Sequence, residues 1–216
     1  GLYDAVGLFG VFIAFWLGVA TVADMLRRGG FPRVSVGVLL RRLAGLPRST
    51  WGLYLGHLGL AVAAAGVVAV SVWKEEAIQT VKTGEEITVG PYEFALLDIE
   101  NTTGPNYQTS IAAVRVSRDG ELVAMLFPER RWYPVESQPT TEAGIRTLWH
   151  GDLYAVLGDP DGSGGFVTRY YYNPGVPWMW LGALMIVGAG LISLADRRLR
   201  VGAPSARARP GLQPAE

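Results

Sequence analysis

The sequence predicts a membrane protein with three transmembrane α-helices and a small antiparallel β domain, a sandwich or a barrel, between the second and third helices. Three charge-free stretches of 19, 25 and 26 residues carry the helical part of this prediction: Ala5–Ala23, Ser49–Trp73 and Tyr170–Ala195. A helix needs roughly 20 apolar residues to cross the hydrocarbon core. Residues 74–169 carry the β part, because short runs of β-branched and aromatic residues alternate there with glycine and proline.

These observations divide the chain into six segments. They are a transmembrane helix with its flank (1–26), a basic loop (27–48), a second transmembrane helix (49–73), the β domain (74–169), a third transmembrane helix (170–196) and a tail (197–216). The tail is rich in Pro, Ala, Gly and Arg, and we expect it to be disordered. The first charge-free stretch has no basic start, which argues against a signal peptide. We therefore expect the chain to be part of a larger or processed polypeptide.

Charge is distributed unevenly, although the formal net charge is zero. The loop at 27–48 contains six arginines and no acid, whereas residues 74–169 contain eight basic and fifteen acidic residues, a net charge of −7. The positive-inside rule places the loop and the arginine-rich tail in the cytoplasm. We therefore predict a multi-pass inner-membrane protein whose β domain lies in the periplasm. The chain has no cysteine, which excludes disulfide, zinc–thiolate and iron–sulfur chemistry by its own residues.

The basic loop leaves two interpretations open. Residues 34–46 form an apolar stretch that is interrupted by Arg41 and Arg42. Such a pattern is typical of an interfacial helix whose arginines extend to the lipid headgroups. An ordinary basic loop accounts for the pattern equally well.

The β domain has about 95 residues, enough for one small core. Six runs are predicted as strands: Ile87–Val89, Tyr92–Ile99, Ile111–Ser117, Leu122–Phe127, Asp152–Leu157 and Gly165–Tyr172. Asp119 and Gly120 lie between two of these runs and predict a hairpin turn, because both residue types tolerate a positive φ.

His57 is the one histidine within the three charge-free stretches, and an ionisable side chain of this kind at membrane depth indicates a functional site. One face of its helix carries small residues at alternating steps of four and three, namely Gly52, Gly56, Gly59, Ala63 and Gly66. Such a face lets a second helix approach closely. We expect His57, flanked by Tyr54 and Ala61, to point into the resulting bundle or beside it. It lies about 12 Å along the helix from Ser49, in the cytoplasmic half of the membrane.

Two roles for His57 remain open at this point. Imidazole is a common ligand of haem iron, which would need a second axial ligand on another helix. Alternatively, the side chain forms a hydrogen bond to a neighbouring helix. The chain offers no second histidine within its predicted transmembrane helices, so a partner ligand would have to come from elsewhere.

The densest cluster of polar and aromatic residues in the β domain is Arg130, Arg131, Trp132 and Tyr133. Two arginines beside two aromatic rings can bind carboxylates while the rings stack on a planar ligand. A haem with its propionates fits that description, and so does an acidic partner protein. The structural alternative is a strand that ends at Pro134, which cannot donate to the ladder.

The second histidine, His150, lies outside the predicted membrane helices and beside Trp149. We interpret it as a partly exposed surface histidine. An aromatic belt at the border of the third helix is predicted by Trp178 and Trp180 together with Tyr170–Tyr172. The same residues could form the wall of a haem site at the membrane surface, but we favour the anchoring belt.

Four blocks in register resemble the C-terminal portion of the cytochrome c biogenesis haem lyase family, CcmF/NrfE. They are the run Arg48–Gly59 with its Trp-Gly-Leu-Tyr-Leu-Gly-His core, Gly104–Tyr107, Pro128–Pro134, and Val176–Gly182 followed by Asp196–Arg198. Any one block alone would be weak, but together they cover most of the chain from Arg48 to Arg200.

The resemblance implies a haem lyase subunit of cytochrome c maturation. In such a protein a b-type haem (haem b iron) is held in the membrane by two histidines, one of which His57 matches. The expected partners are the remaining part of the haem lyase polypeptide or subunit, a haem chaperone, apocytochrome c with its CXXCH motifs and its thiol-handling subunit, and the lipid membrane, but no nucleic acid. The other haem ligand and the tryptophan-rich segment of the family would lie N-terminal to this chain, so we expect this chain alone to lack the full active site.

An alternative class is a non-catalytic membrane scaffold whose external β domain docks maturation partners. The acidic β domain favours this alternative. A transporter subunit is less well supported, because the three predicted helices show no broken segment or series of polar residues.

Overall fold

The computed structural model describes residues 2–196, and the tail predicted to be disordered, 197–216, lies outside the described residues. Four helices are present: α1 (Leu2–Gly29), α2 (Val36–Ala44), α3 (Arg48–Trp73) and α4 (Val176–Leu194). Ten strands lie between α3 and α4: β1 (Glu75–Lys82), β2 (Glu86–Val89), β3 (Tyr92–Thr103), β4 (Gln108–Arg118), β5 (Glu121–Leu126), β6 (Glu129–Tyr133), β7 (Gln138–Glu142), β8 (Gly144–Leu148), β9 (Gly151–Pro160) and β10 (Gly165–Pro174).

The predicted fold class is confirmed. Three helices are long and apolar enough to cross a membrane, at Ala5–Gly29, Arg48–Trp73 and Val176–Leu194. All the strand pairings are antiparallel, and the strands form a domain between the second and third of these helices. The chain is therefore a multi-pass membrane protein with an appended β domain.

Helix α3 lies between α1 and α4 and packs against both. Its glycines allow α4 to approach the backbone itself. A Cβ added at Gly52, Gly59 or Gly66 would lie 2.8, 2.9 or 2.6 Å from a carbonyl oxygen of the α4 segment. The opposite side of α3 contacts α1, where the Tyr54 hydroxyl donates to a carboxylate oxygen of Asp24 at 2.8 Å. The small-residue face predicted from the sequence is thus the α4 contact.

The β domain is a sandwich of two sheets. One has four strands in the order β1-β10-β9-β8, and the other has six strands, with β2-β3-β4-β6-β7 as its path and β5 paired to β4. The core between the sheets is formed by fully buried side chains that include Tyr92, Phe94, Leu96, Leu153 and Tyr170. The predicted hairpin turn is present, with φ values of 52° at Asp119 and 79° at Gly120.

The start of the third membrane helix differs from the prediction. The sequence predicts a helix from Tyr170, but residues 170–174 complete β10, and α4 begins at Val176. Tyr170 is therefore not part of an aromatic belt, because it is fully buried in the sandwich and its ring stacks on Phe94 with centroids 4.9 Å apart. Gly175 separates strand from helix with a φ of 79°, a conformation that favours glycine.

The sandwich has one end near the membrane and one end far from it. Strand β1 follows α3 directly, and β10 leads into α4, so the first residues of β1 and the last of β10 are membrane-proximal. The backbone carbonyl of His150 accepts a hydrogen bond from Gly175 N at 3.0 Å, which places the β8–β9 turn at the same end. The β3–β4 hairpin at 104–107 lies at the membrane-distal end.

Candidate functional site

His57 is exposed on the outer surface of α3. The sequence led us to expect a side chain that points into the bundle or beside it, flanked by Tyr54 and Ala61. Both neighbours are buried on the α1 side of the helix, whereas His57 lies outside this contact. Each residue advances about 100° around a helix, so His57 falls between the side that meets α1 and the side that meets α4. It lies beside the three-helix unit and is not enclosed by it.

One imidazole nitrogen of His57 is held by the backbone. Nδ1 lies 2.8 Å from the carbonyl oxygen of Leu53, one turn earlier in α3. A carbonyl oxygen only accepts, so Nδ1 carries the proton and donates. In the neutral ring, Nε2 then has a free lone pair. A hydrogen bond from one ring nitrogen to a backbone carbonyl is the usual way in which a metal-ligating histidine is oriented.

A shallow apolar groove of about 220 Å³ lies beside the imidazole. It is lined by Gly52, Leu53, Gly56, His57 and Leu60. The two glycines have no side chain and leave the groove open on the α4 side. The two leucines line it one turn before and one turn after the histidine. This surface can accept a flat apolar group or another helix at the level of His57.

The four predicted residues of the β domain lie on β6, and the strand separates them into two pairs. Arg130 and Trp132 line a cleft of about 450 Å³ with polar residues of β3 and β4. Arg131 and Tyr133 point to the opposite face, because successive side chains of a strand alternate. The four side chains therefore do not form a single site.

Arg131 is already engaged within the sandwich. Its guanidinium contacts Glu129 at 2.8 Å and Glu142 at 3.5 Å, and it lies 4.8 Å from the centre of the Tyr107 ring. Tyr107 in turn contacts Tyr133, with ring centroids 5.5 Å apart. Arg131 and Tyr133 therefore belong to a structural cluster that joins β6 to β7 and to the β3–β4 hairpin.

Arg130 and Trp132 face a more open environment. Arg130 forms an ion pair with Asp159, whose side chain is 75% exposed. Trp132 is exposed at the rim of the cleft, close to Gln108 of β4. An exposed aspartate is a partner that an incoming anion can replace, because a surface ion pair contributes little free energy.

His57 and the β6 residues are far apart. His57 lies 16 residues before the end of α3, about 24 Å below Trp73. The cleft lies at the membrane-distal end of β3, and the nine residue-to-residue steps from Tyr92 to Asn101 span about 30 Å of strand. One haem cannot contact both, so the residues grouped in the sequence as cofactor-binding form separate sites.

His150 is part of a cluster at the membrane-proximal end of the sandwich. Its Nδ1 lies 3.1 Å from the hydroxyl of Tyr172, and its Nε2 lies 3.4 Å from the hydroxyl of Tyr92. Burial raises the pKa of the Tyr172 hydroxyl. The indole nitrogen of Trp178 in α4 donates to the carbonyl of Trp149 at 2.8 Å. His150 is therefore half-buried and joins the β domain to the start of α4, and both of its ring nitrogens have polar neighbours.

Sequence reasoning identified both histidines but not their partners. The Leu53 carbonyl that orients His57 is a backbone group, and no sequence pattern marks it. Tyr92 and Tyr172 are distant from His150 in sequence. They contact it because the start of β3, the start of β9 and the end of β10 lie at the same end of the sandwich. Within residues 2–196, no group of three or more His, Asp or Glu side chains is arranged to hold a metal ion by itself.

Comparison with known proteins extends these observations. Residues 72–174 match the family model described as the CcmF C-terminal beta-sandwich. The chain is 41% identical over 98% of its length to the cytochrome c-type biogenesis protein CycK of Bradyrhizobium diazoefficiens, of which it covers 32%. It is 33% identical over 91% of its length to the cytochrome c-type biogenesis protein CcmF of Escherichia coli, of which it covers 29%.

A solved structure shares the fold. The structure titled "Cytochrome c Heme Lyase CcmF" superposes with a TM-score of 0.62 at 18% sequence identity, covering 90% of this chain and 33% of that one. At this identity the likeness concerns the fold alone. The chain spans about a third of the length of the curated relatives that it matches.

Proposed function

The chain belongs to the CcmF/NrfE family and corresponds to its C-terminal portion, and we propose that it forms part of the haem lyase of cytochrome c maturation. In this proposal the complete protein helps to attach haem to the CXXCH motifs of apocytochrome c in the inner membrane. This chain contributes α1, α3 and α4 and a β domain on the periplasmic side. The excess of arginine between α1 and α3 and the net charge of −7 on residues 74–169 support that orientation.

Within this function, His57 is proposed as one axial ligand of a b-type haem in the membrane. The observation that supports the assignment is the hydrogen bond from Nδ1 to the Leu53 carbonyl at 2.8 Å, which leaves Nε2 free. A histidine that served only to join helices would be expected to direct a ring nitrogen to a neighbouring helix, and His57 instead bonds within its own helix. Imidazole nitrogen is a common axial donor to haem iron, so the residue present fits the group.

The surroundings of His57 also fit one side of a planar cofactor. The groove beside the imidazole is apolar, and Gly56 removes the side chain that would otherwise stand next to it. Because both the histidine and the groove face outward, we infer that the rest of the family polypeptide covers this surface and supplies the second ligand. A low-dielectric pocket of that kind tunes the reduction potential of the iron.

The residues of this chain have defined tasks in the proposal. Leu53 fixes the tautomer and the direction of the imidazole through its carbonyl oxygen, and Gly56, which has no side chain, would leave room for a cofactor beside the imidazole. A bound b-type haem would supply one-electron redox chemistry at this depth of the membrane. The packing of α3 on α4 through Gly52 and Gly59 holds the ligand-bearing helix in place.

Substitution of His57 tests the assignment in the full-length protein that carries this segment. We expect His57→Ala to lose the absorption spectrum of the membrane haem, while His150→Ala serves as the matched control and retains it. His57→Gly with added imidazole adds a second readout, because a free imidazole can occupy the space of a lost ligand. We expect imidazole to restore the spectrum in that variant.

An unchanged haem content and spectrum in His57→Ala would show that His57 is not a ligand. If His57→Gly lost its haem and imidazole did not restore it, while the protein remained folded by circular dichroism, the residue would have a role other than direct coordination.

A second function, docking of maturation partners by the β domain, is favoured by the cleft that Arg130 and Trp132 line. The cleft is open and polar, and its arginine is paired only with an exposed aspartate. We expect Arg130→Gln combined with Trp132→Ala to reduce co-purification of partner proteins and to leave the membrane haem intact. Loss of the haem without loss of partners would contradict this role.

A further inference from the structure

Helix α2 is fastened to the ends of the two helices that it connects. Its Leu43 carbonyl accepts a hydrogen bond from the indole nitrogen of Trp51 in α3 at 3.2 Å. Arg42 donates to the carbonyl of Gly29, the last residue of α1, at 3.4 Å. Since α1 ends and α3 begins at this level, α2 lies where the transmembrane helices meet the membrane surface.

One side of α2 is apolar, and it is only half covered by protein. Leu39 and Leu43 are buried, and the Leu39 side chain contacts Gly29. Val36 and Leu40 continue the same arc of the helix, since they lie within about 100° of that pair. They are 67% and 60% exposed. On an interfacial helix such side chains enter the boundary between headgroups and acyl chains.

The other side of α2 and its flanks are basic. Arg41 lies on the arc opposite Leu43, Arg42 lies about 60° from Leu39 beside the contact with α1, and Arg27, Arg28 and Arg33 lie in the adjoining turns. Asp24, near the end of α1, accepts hydrogen bonds from Arg28 and Tyr54, and Asp196 accepts one from the backbone nitrogen of Ser49. Within the described part of the chain, Arg27, Arg33 and Arg41 form no ion pair. Arg27 still lies within electrostatic reach of Asp24, so Arg33 and Arg41 are the charges that the described residues leave without a protein counter-charge at the membrane surface.

We propose that α2 and its flanking arginines form a binding site for the phosphate groups of anionic phospholipids. In this arrangement Val36 and Leu40 lie among the acyl chains, and the guanidinium groups of Arg33 and Arg41 bind the headgroup phosphate. A guanidinium binds phosphate through paired N–H donors and extends from a helix toward the headgroups. The site is independent of the haem role proposed for His57.

Thermal unfolding of the full-length protein, purified in detergent and stripped of lipid, measures this binding. The protein is titrated with a short-chain phosphatidylglycerol, with the phosphatidylcholine of the same chains, and with glycerol 3-phosphate. We expect phosphatidylglycerol to raise the melting temperature, and the other two to have little effect. Added salt should weaken the effect of phosphatidylglycerol, because the attraction is electrostatic.

Two charge-matched variants localise the site. Arg33→Gln with Arg41→Gln removes two unpaired arginines, and each basic residue near an anionic surface contributes about a fivefold gain in affinity. We therefore expect this variant to bind phosphatidylglycerol roughly 25-fold more weakly. The control, Arg146→Gln with Arg169→Gln, removes two exposed arginines of the β domain and should bind as the wild type does.

Three results would overturn the proposal. They are equal stabilisation by phosphatidylcholine, equal stabilisation by glycerol 3-phosphate, and wild-type affinity in the Arg33 and Arg41 variant. If that variant failed to fold, the salt dependence of the wild-type titration would decide, since a salt-independent effect of phosphatidylglycerol contradicts an arginine–phosphate site.

Discussion

Substitution of Gly59 by alanine tests the packing on which the position of His57 depends. A Cβ at Gly59 would lie 2.9 Å from the carbonyl oxygen of Gly182 and 2.9 Å from the Cβ of Met185. At Gly56, one turn earlier, the nearest atom is the Cβ of Ala189 at 3.5 Å, an ordinary van der Waals distance. The two glycines therefore differ in packing although both belong to the small-residue face.

The expected difference in stability follows from these distances. Ordinary contacts begin near 3.4 Å, so α3 and α4 would have to separate by several tenths of an ångström to accept the methyl group at Gly59. Overpacking of this kind costs about 1–3 kcal/mol. Replacing glycine by alanine within a helix also gives a gain of up to about 1 kcal/mol from helix propensity. Gly56→Ala shares that gain, so the comparison of the two variants isolates the cost of packing.

Reversible unfolding of both variants in detergent, followed by circular dichroism, measures the difference. We expect Gly59→Ala to be less stable than Gly56→Ala by about 1–3 kcal/mol. Equal stability of the two variants would refute the close backbone contact between α3 and α4.

Three further predictions concern the β domain. Burial raises the pKa of Tyr170 to about 12, above the value of about 10 in the unfolded chain. The contribution of Tyr170 to stability is therefore complete below pH ~10 and is lost as the pH rises toward 12. Tyr170→Phe should lose less stability than the wild type in alkaline denaturation, and an identical pH profile would contradict the burial. Arg131→Gln removes contacts to Glu129 and Glu142 and should lower stability in urea unfolding, whereas the exposed Arg146→Gln should change it little. Equal effects of the two substitutions would show that Arg131 has no structural role. Trp178→Phe removes the hydrogen bond to the Trp149 carbonyl and should cost about 1 kcal/mol, with faster amide exchange in the β8–β9 turn; unchanged exchange would mean that this bond does not join the domain to α4.

The membrane helices could be predicted because a helix that crosses the lipid needs about 20 consecutive apolar, uncharged side chains. Lengths and charges alone located α1, α3 and α4, but they did not locate the start of α4. Tyr170 and Tyr172 carry no charge whether they face lipid or the core of a sandwich, so an apolar run does not separate the end of a strand from the start of a helix. The turn at Gly175 is the physical boundary, and only the register of β10 with β9 reveals it.

Three of the strands that escaped prediction, β1, β7 and β8, lie at the edges of the sheets. Strand β1 is largely polar, with Glu75, Glu76 and Lys82 exposed and Val81 alone fully buried. It forms because β10 offers its backbone edge, a long-range pairing that the local sequence of β1 does not indicate. Strands β7 and β8 are short and mostly exposed, so they lack the alternating apolar pattern that predicts a strand.

The sequence singled out His57 as a candidate ligand and left two orientations open, into the bundle or beside it. The glycine face of α3 predicted a close helix partner, which is α4. The sequence did not indicate that α1 would pack on Tyr54 and Ala61, which leaves His57 outside the contact. An outward histidine agrees with a ligand site that other parts of the family polypeptide complete.

The reduction potential of the membrane haem in the full-length protein with His57→Met tests the central proposal most directly. Methionine can replace histidine as an axial ligand, and a Met/His pair raises the potential of haem iron. If His57 coordinates the iron, this variant should retain haem with a clearly higher potential and an altered reduced spectrum. Retained haem with the wild-type potential and spectrum would contradict the assignment of His57 as an axial ligand.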